Sequence, residues 1–220
     1  MSLTTAMILC AGRGERMRPL TDFTPKPLLE VRGMPLLGWH LQRLQQAGFR
    51  HIVINHCWLG QQIEDYVGNL DLDLKVCFSE EKVALETAGG IVKALPLLGN
   101  DPFAVVNGDI FSDFDFGQLA PLSNSTLAHL VLVTNPSHNP QGDFVLQQQQ
   151  VQASGPNKLT FSGIAVYSQM LFSGLKPSVV SPLAPLLREA MNKHVVSGEH
   201  YQGQWCDVGT PQRLQQLNKG

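Results

Sequence analysis

Along the first half of the chain, short apolar runs repeatedly give way to stretches with helical spacing. Ala6–Cys10, His51–His56, Leu74–Phe78 and Phe103–Asn107 have the length and composition of buried strands. Between them, Leu36–Ala47 sets Leu37, Leu41 and Leu44 on one helical face and stops at Gly48, a favourable residue just past a helix end. Gln61–Val67 and Thr87–Leu95 read as the next two helices. Strands that alternate with helices lie parallel through crossovers, and ligands of such sheets sit beyond the carboxyl ends of the strands.

From Leu127 the pattern changes. Leu127–Thr134, Phe144–Gln152 and Leu159–Tyr167 are strand-like, joined by the turn-rich segments NPSHNPQGD and ASGPN, so a mixed sheet is expected there. Leu183–Met191 and Thr210–Leu217 read as closing helices, with Pro211 tolerated in a first turn. The run QQQQ at Gln147–Gln150 is too short for a disordered tract and fits a solvent-facing strand or turn. No repeat or linker divides the chain. The expectation is one α/β domain over residues 1–220, with a Rossmann-like, mostly parallel mixed sheet between helices in three layers.

Composition limits what such a domain can bind. A net charge of −2 offers no field for a polyanion, so nucleic acid is not an expected partner. No apolar run reaches the ~20 residues of a bilayer span, and Met1–Thr5 carry no signal-peptide pattern, so no membrane association and a cytoplasmic location are expected. The four cysteines form no C-x-x-C pair, and the seven histidines show no metal-binding spacing.

Against that mild overall charge, the stretch AMILCAGRGERMRPLTDFTPKPLLEV concentrates cations around a glycine turn. Gly12-x-Gly14 follows a strand, but position 17 is Met where a dinucleotide fingerprint needs glycine, and Arg18-Pro19 would interrupt its helix. A Walker loop is excluded by the lack of G-K-[ST]. What remains is a glycine loop whose backbone N–H groups can approach phosphate, with Arg13, Arg16 and Arg18 nearby and Lys26 stiffened between Pro25 and Pro27. That set suits a polyphosphate; the bland alternative is a surface turn with solvated arginines. Asn107-Gly108-Asp109 ends a strand at the ligand-bearing edge, and Asp207 in GQWCDVGTP is a second carboxylate in an unusual apolar setting. Together they could hold a hard cation such as Mg²⁺ beside phosphates; singly, each could cap the next segment.

The run A-G-x-G-x-R-x-x-P-x-T-x-x-x-P-K, Ala11 to Lys26, resembles the signature of the sugar-1-phosphate nucleotidyltransferases. The resemblance implies a GT-A-like fold, with a nucleotide-binding half over 1–126 and a sugar-binding half over 127–220. It implies that Ala11, Gly12, Gly14, Glu15 and Arg16 wrap a nucleoside triphosphate, that Lys26 steadies the phosphates, and that Asp109 and Asp207 hold Mg²⁺. Arg16, Lys26, Asp109 and Asp207 are thus the expected catalytic group, with Asn107 beside the nucleotide. LETAGGIVKAL resembles the family loop that borders the base, with Glu86 in place of its glycine; Glu86 either accepts from a ring N–H or is a first-turn acid favoured by the helix dipole. Gly142, Asp143 and Gly163 resemble loop positions turned toward the sugar. The family's E-K-P segment, whose lysine often meets the sugar phosphate, is missing, and Arg188 is offered as a substitute cation. Overall likeness within the family points to UTP as donor and a sugar 1-phosphate as acceptor, in a monomer or weak homo-oligomer. A sensing subunit that had lost turnover would be expected to lack Lys26, Asp109 or Asp207, and all three are present.

Overall fold

The computed structural model describes residues 3–123 and 125–219. Its strands are β1 (Thr5–Leu9), β2 (Glu30–Val31), β3 (Met34–Pro35), β4 (His51–His56), β5 (Lys75–Glu80), β6 (Phe103–Asn107), β7 (Ile110–Ser112), β8 (Ala128–Val133), β9 (Phe144–Gln147), β10 (Gln150–Gln152), β11 (Lys158–Tyr167), β12 (Val196–Tyr201) and β13 (Trp205–Asp207). The helices are α1 (Leu36–Gln46), α2 (Gly60–Gly68), α3 (Glu86–Leu98), α4 (Leu183–Asn192) and α5 (Pro211–Lys219).

Nine strands form one sheet in the order β5-β4-β1-β6-β11-β8-β12-β10-β9. The four strands of the first half are all parallel to their neighbours, and the sheet becomes mixed where β11 runs antiparallel to β6. Alternation along each strand divides the core in two. Met7, Val53 and Val105 point to the face covered by α3 and α4, where they pack with Ile91, Leu183 and Leu187. Ala6, Ile8, Ile52, Ile54 and Val106 point to the other face and meet Leu37, Leu41 and Leu44 of α1 and Ile63 of α2. The three-layer α/β/α arrangement follows from this pattern. A third cluster, built from Met17, Val31, Leu36, Phe111, Val208 and Leu217, pins α5 under the loop after β1.

The sequence reading named no strand at β2, β3 or β12, and two further details differ from it. The expected single strand Phe144–Gln152 is a hairpin, β9 and β10, reversed at Gln148, whose φ of 56° is left-handed. Glutamine is not a turn-former, so composition hides the break. The other is a two-stranded ladder of β7 and β13, each three residues long, outside the main sheet.

Candidate active site

The carboxyl ends of β1, β4 and β6 open onto a cavity of about 420 Å³. From the glycine loop it is lined by Ala11, Gly12, Gly14, Glu15 and Arg16, and from the following segment by Lys26. Asn107 and Asp109 close it at the end of β6, Glu86 and Thr87 at the start of α3, and Gly209 at the start of the α5 segment. All the expected nucleotide-side residues thus share one cavity.

The loop between β1 and Lys26 is held by its own side chains. Gly14 sits at φ 68°, and a Cβ there would meet Thr21 Cγ2 at 3.0 Å, so both conformation and space favour glycine. Thr21 Oγ1 donates to Gly14 O at 2.8 Å, and Met17 N donates to the same oxygen at 2.9 Å, forming a 3-10 turn over Glu15–Met17 where a dinucleotide fold would begin an α-helix. Arg13 donates to Thr21 O at 2.7 Å and lies 3.8 Å above the Trp58 ring, while Arg18 Nε donates to Asp22 Oδ1 at 2.7 Å. These two arginines tie the loop together. Arg16 is exposed, lines the cavity, and has no hydrogen-bond or ion-pair partner among the described residues.

Lys26 follows the extended Pro25 and starts a 3-10 turn. Its residue is only 8% exposed, and Nζ meets Asp109 Oδ2 at 2.5 Å, across 83 positions of sequence. Asp109 in turn is backed by buried groups. Burial raises the Cys10 thiol well above its usual range, with the Asp109 charge adding to the effect. His40 is lowered to about 4 by burial, partly offset by Asp109 and by a backbone hydrogen bond at Ile110.

Asp207 is next to Asp109 through the backbone: β13 pairs with β7 in the register Asp207 to Ile110, and Val208 N donates to Asp109 O at 2.7 Å. Its Oδ1 accepts from Arg213 and lies 2.8 Å from His138 Nε2. Each carboxylate therefore faces a cation on one oxygen, while Asp109 Oδ1 and Asp207 Oδ2 have no partner among the described residues. The described residues hold no cluster of three or more metal-ligating side chains. Asp109 lines the cavity and Asp207 stands just behind it, next to Gly209; two carboxylates are the number of protein donors Mg²⁺ takes beside phosphates and water, and too few for a metal that needs an all-protein cage.

The sugar-side positions lie outside the cavity wall. Gly163, at φ 82°, forms a bulge in β11 against Asn107, whose Nδ2 would be 2.6 Å from an added Cβ. Gly142, at φ 63°, packs against the Lys158 carbonyl, and Asp143 Oδ2 accepts from Phe161 N at 2.8 Å. Asp143 thus anchors its loop to β11. Arg188 is exposed on α4 and does not line the cavity.

Two lining residues escaped the sequence reading. Asn55, the penultimate residue of β4, is buried; its Oδ1 accepts from Cys10 N at 2.8 Å and its Nδ2 donates to Glu81 Oε1 at 2.7 Å. Glu81, 2% exposed, also accepts from Leu85 N at 2.8 Å. The signal was available, since Asn55 is a polar residue next to the end of an expected strand and Glu81 an acid shortly after the next, as Asp109 is after Asn107.

This geometry has counterparts. The family model described as nucleotidyl transferase matches residues 5–152. The chain is 53% identical over 220 residues to the N-acetylmuramate alpha-1-phosphate uridylyltransferase of Neisseria meningitidis serogroup B, covering 96% of this chain and 95% of that protein. It is 29% identical to the mannose-1-phosphate guanylyltransferase catalytic subunit beta of Drosophila melanogaster over 94% of this chain, spanning 60% of that longer protein. Among solved structures, the inositol-1-phosphate CTP transferase of T. maritima superposes with a TM-score of 0.81 at 16% identity, covering 100% of this chain and 98% of that one. The UDP-glucose pyrophosphorylase of Acinetobacter baumanii gives 0.81 at 18%, covering 98% and 92%. The chain belongs to the nucleotidyl transferase family.

Proposed function

We propose that this protein transfers a uridylyl group from UTP to N-acetyl-α-muramate 1-phosphate, giving UDP-N-acetylmuramate and pyrophosphate. The observation that carries the reaction type is the Lys26–Asp109 pair, brought together at 2.5 Å from opposite ends of the first half and set in one cavity with the glycine loop and Arg16. The choice of sugar and base leans on the 53% identity to the Neisseria meningitidis protein.

In this reading a phosphate oxygen of the acceptor attacks the α-phosphorus of UTP, the bond to the bridging oxygen breaks, and pyrophosphate leaves. The attacking phosphate is already ionised at pH 7, so no general base is required and catalysis consists of positioning and charge neutralisation. Backbone N–H groups of Ala11–Glu15 receive the phosphates, Arg16 grips the departing pyrophosphate with its planar fork, and Lys26 offsets charge at the reacting phosphorus. Asp109 and Asp207 would hold Mg²⁺, which supplies electrostatic stabilisation of the transferring group when bound. Glu86, exposed at the cavity rim without a partner among the described residues, faces the base end, with Asn107 beside the ribose-phosphate path. Residues 1–126 carry the nucleotide and residues 127–220 the sugar, with Gly142, Asp143 and Gly163 shaping the loops on that side.

A pyrophosphate-release assay tests this across UTP, GTP and dTTP, each with the 1-phosphates of N-acetylmuramate, N-acetylglucosamine, mannose and glucose, with and without Mg²⁺. The expected maximum is UTP with N-acetylmuramate 1-phosphate in the presence of Mg²⁺. Turnover with GTP or dTTP but with UTP on none of the sugars would reject the uridylyl assignment.

A further inference from the structure

Arg213, in the first turn of α5, is a largely buried cation that the reading above leaves without a task. Its side chain is 15% exposed. Nη1 donates to Asp207 Oδ1 and lies 2.9 Å from His138 Nε2, and Nε points to Thr210 Oγ1 at 3.4 Å. Nη2 makes no hydrogen bond among the described residues, so its two N–H donors are left free. Nη2 lies behind Gly209, a residue of the cavity wall: a Cβ at 209 would come within 2.5 Å of Arg213 Nη2 and 3.1 Å of Asp207 Oδ2. Glycine is the one residue that leaves Nη2 clear.

We propose that Arg213, with His138 beside it, receives the phosphate of the acceptor sugar. This rests on the nucleotidyl-transfer reading and assigns its second substrate a binding group. An acceptor phosphate carries between one and two negative charges at pH 7 and must come to rest near two carboxylates, so fixed positive charge is required at that spot. Lys26 is engaged by Asp109, and Arg16 belongs to the glycine loop. Arg213 sits on Asp207, whose strand is hydrogen-bonded to the Asp109 segment, and its Nη2 packs directly behind the cavity wall at Gly209. Its free Nη2 N–H groups are charge-assisted donors for phosphate oxygen. The backbone below it is fixed, because Leu214 and Leu217 pack with Met17 and Val31 in the cluster that also supports the glycine loop. His138 comes from the Asn135–Asp143 loop of the second half, so the same contact links the sugar side to α5. The carboxylate of muramate is a second anion on the same ligand, but it is carried on the lactyl ether at C3, two ring carbons from C1, and takes no part in the bond being made.

Titration calorimetry of N-acetylmuramate 1-phosphate and of N-acetylglucosamine 1-phosphate, which lacks the carboxylate, tests this on wild type, Arg213→Gln, Arg213→Lys and His138→Gln, with UTP binding measured in parallel. Arg213→Gln should weaken both sugar phosphates by roughly 10- to 100-fold, the loss of one or two charge-assisted hydrogen bonds, and leave UTP affinity within about threefold. Arg213→Lys keeps charge and fold but not the fork, and should fall between; His138→Gln should show a smaller loss of the same kind. Circular dichroism confirms folding. Unchanged affinity for both sugar phosphates in folded Arg213→Gln and Arg213→Lys overturns the proposal, as does a loss confined to the muramate ligand, which would move Arg213 to the carboxylate, or an equal loss for UTP. If wild type turns over another acceptor but binds neither ligand, the sugar assignment fails; if wild type binds and the variants match it, only this inference does.

Discussion

Lys26 and Arg16 carry different burdens although both are cations of one loop. Lys26 is enclosed and already set against Asp109, so its ammonium is positioned before substrate arrives, whereas Arg16 is exposed and must be ordered by the ligand it meets. A preorganised charge acts most where charge develops, and a ligand-ordered fork acts on ground state and transition state alike. Lys26→Ala should therefore reduce kcat by at least about 10²-fold with a smaller rise in the KM for UTP. Arg16→Lys, which loses the bidentate geometry, should damage both parameters. Steady-state kinetics on folded variants decides, and a Lys26→Ala enzyme with more than about a tenth of wild-type kcat would remove the loop from the chemistry. The loop itself was legible in the sequence because glycine freedom and proline stiffness are local properties. The choice of Arg16 among its arginines came from the family resemblance and not from local chemistry; the physical reason lies in the fold, where Arg13 stacks on Trp58 and Arg18 bonds to Asp22.

At the scale of elements, the site is a set of strand ends, and the polar residue at each end bonds to its neighbours. Asn55 joins the end of β4 to Cys10 after β1 and to Glu81 after β5. Asn55→Ala would leave the Cys10 N–H and one Glu81 oxygen buried without partners, costing roughly 3 kcal/mol, and would loosen the start of the glycine loop, raising the KM for UTP. Chemical denaturation and kinetics on the same variant check both; a stable variant with unchanged KM would reduce Asn55 to filler. Helix α1 contributes a second effect through His40. Its folded value of about 4 lies below the ordinary value of 6.5, so the unfolded chain takes up the proton first as pH falls. Stability from this group is full above about pH 6.5 and is lost as pH drops toward 4, amounting to about 2 kcal/mol at pH 5. Urea melts at pH 7.5 and 5 should show that extra loss in wild type and not in His40→Leu; parallel slopes would contradict it. Strands β1, β4, β5 and β6 and helices α1 to α3 were readable because each is long enough to show a period. The β7–β13 ladder was not, since three-residue strands show none, yet it is this ladder that brings Asp207 to Asp109.

For the whole molecule, one sheet makes the two halves interdependent. The family model matches residues 5–152, yet β6, which carries Asn107 and leads to Asp109, has β11 as its neighbour on one side, pairing Phe103 with Tyr167 and Val106 with Ile164. Both main core clusters also cross the division. The α3 face needs Tyr167, Phe172, Leu183 and Leu187, and the α1 face needs Ile164 and Val166. A chain ending at residue 152 would expose the β6 edge and strip those side chains from both faces, each worth about 1.5–3 kcal/mol when fully buried, against a total stability of about 5–15 kcal/mol. The matched segment should therefore not fold alone. Expressed by itself it should lack a near-ultraviolet circular dichroism signal, bind a hydrophobic dye and unfold in urea without a cooperative transition, while residues 1–220 give a single sigmoidal one. A cooperative transition for 1–152, with near-ultraviolet signal intact, would show that the first half is a domain in its own right, and the active site would then be a seam between two units instead of the edge of one sheet.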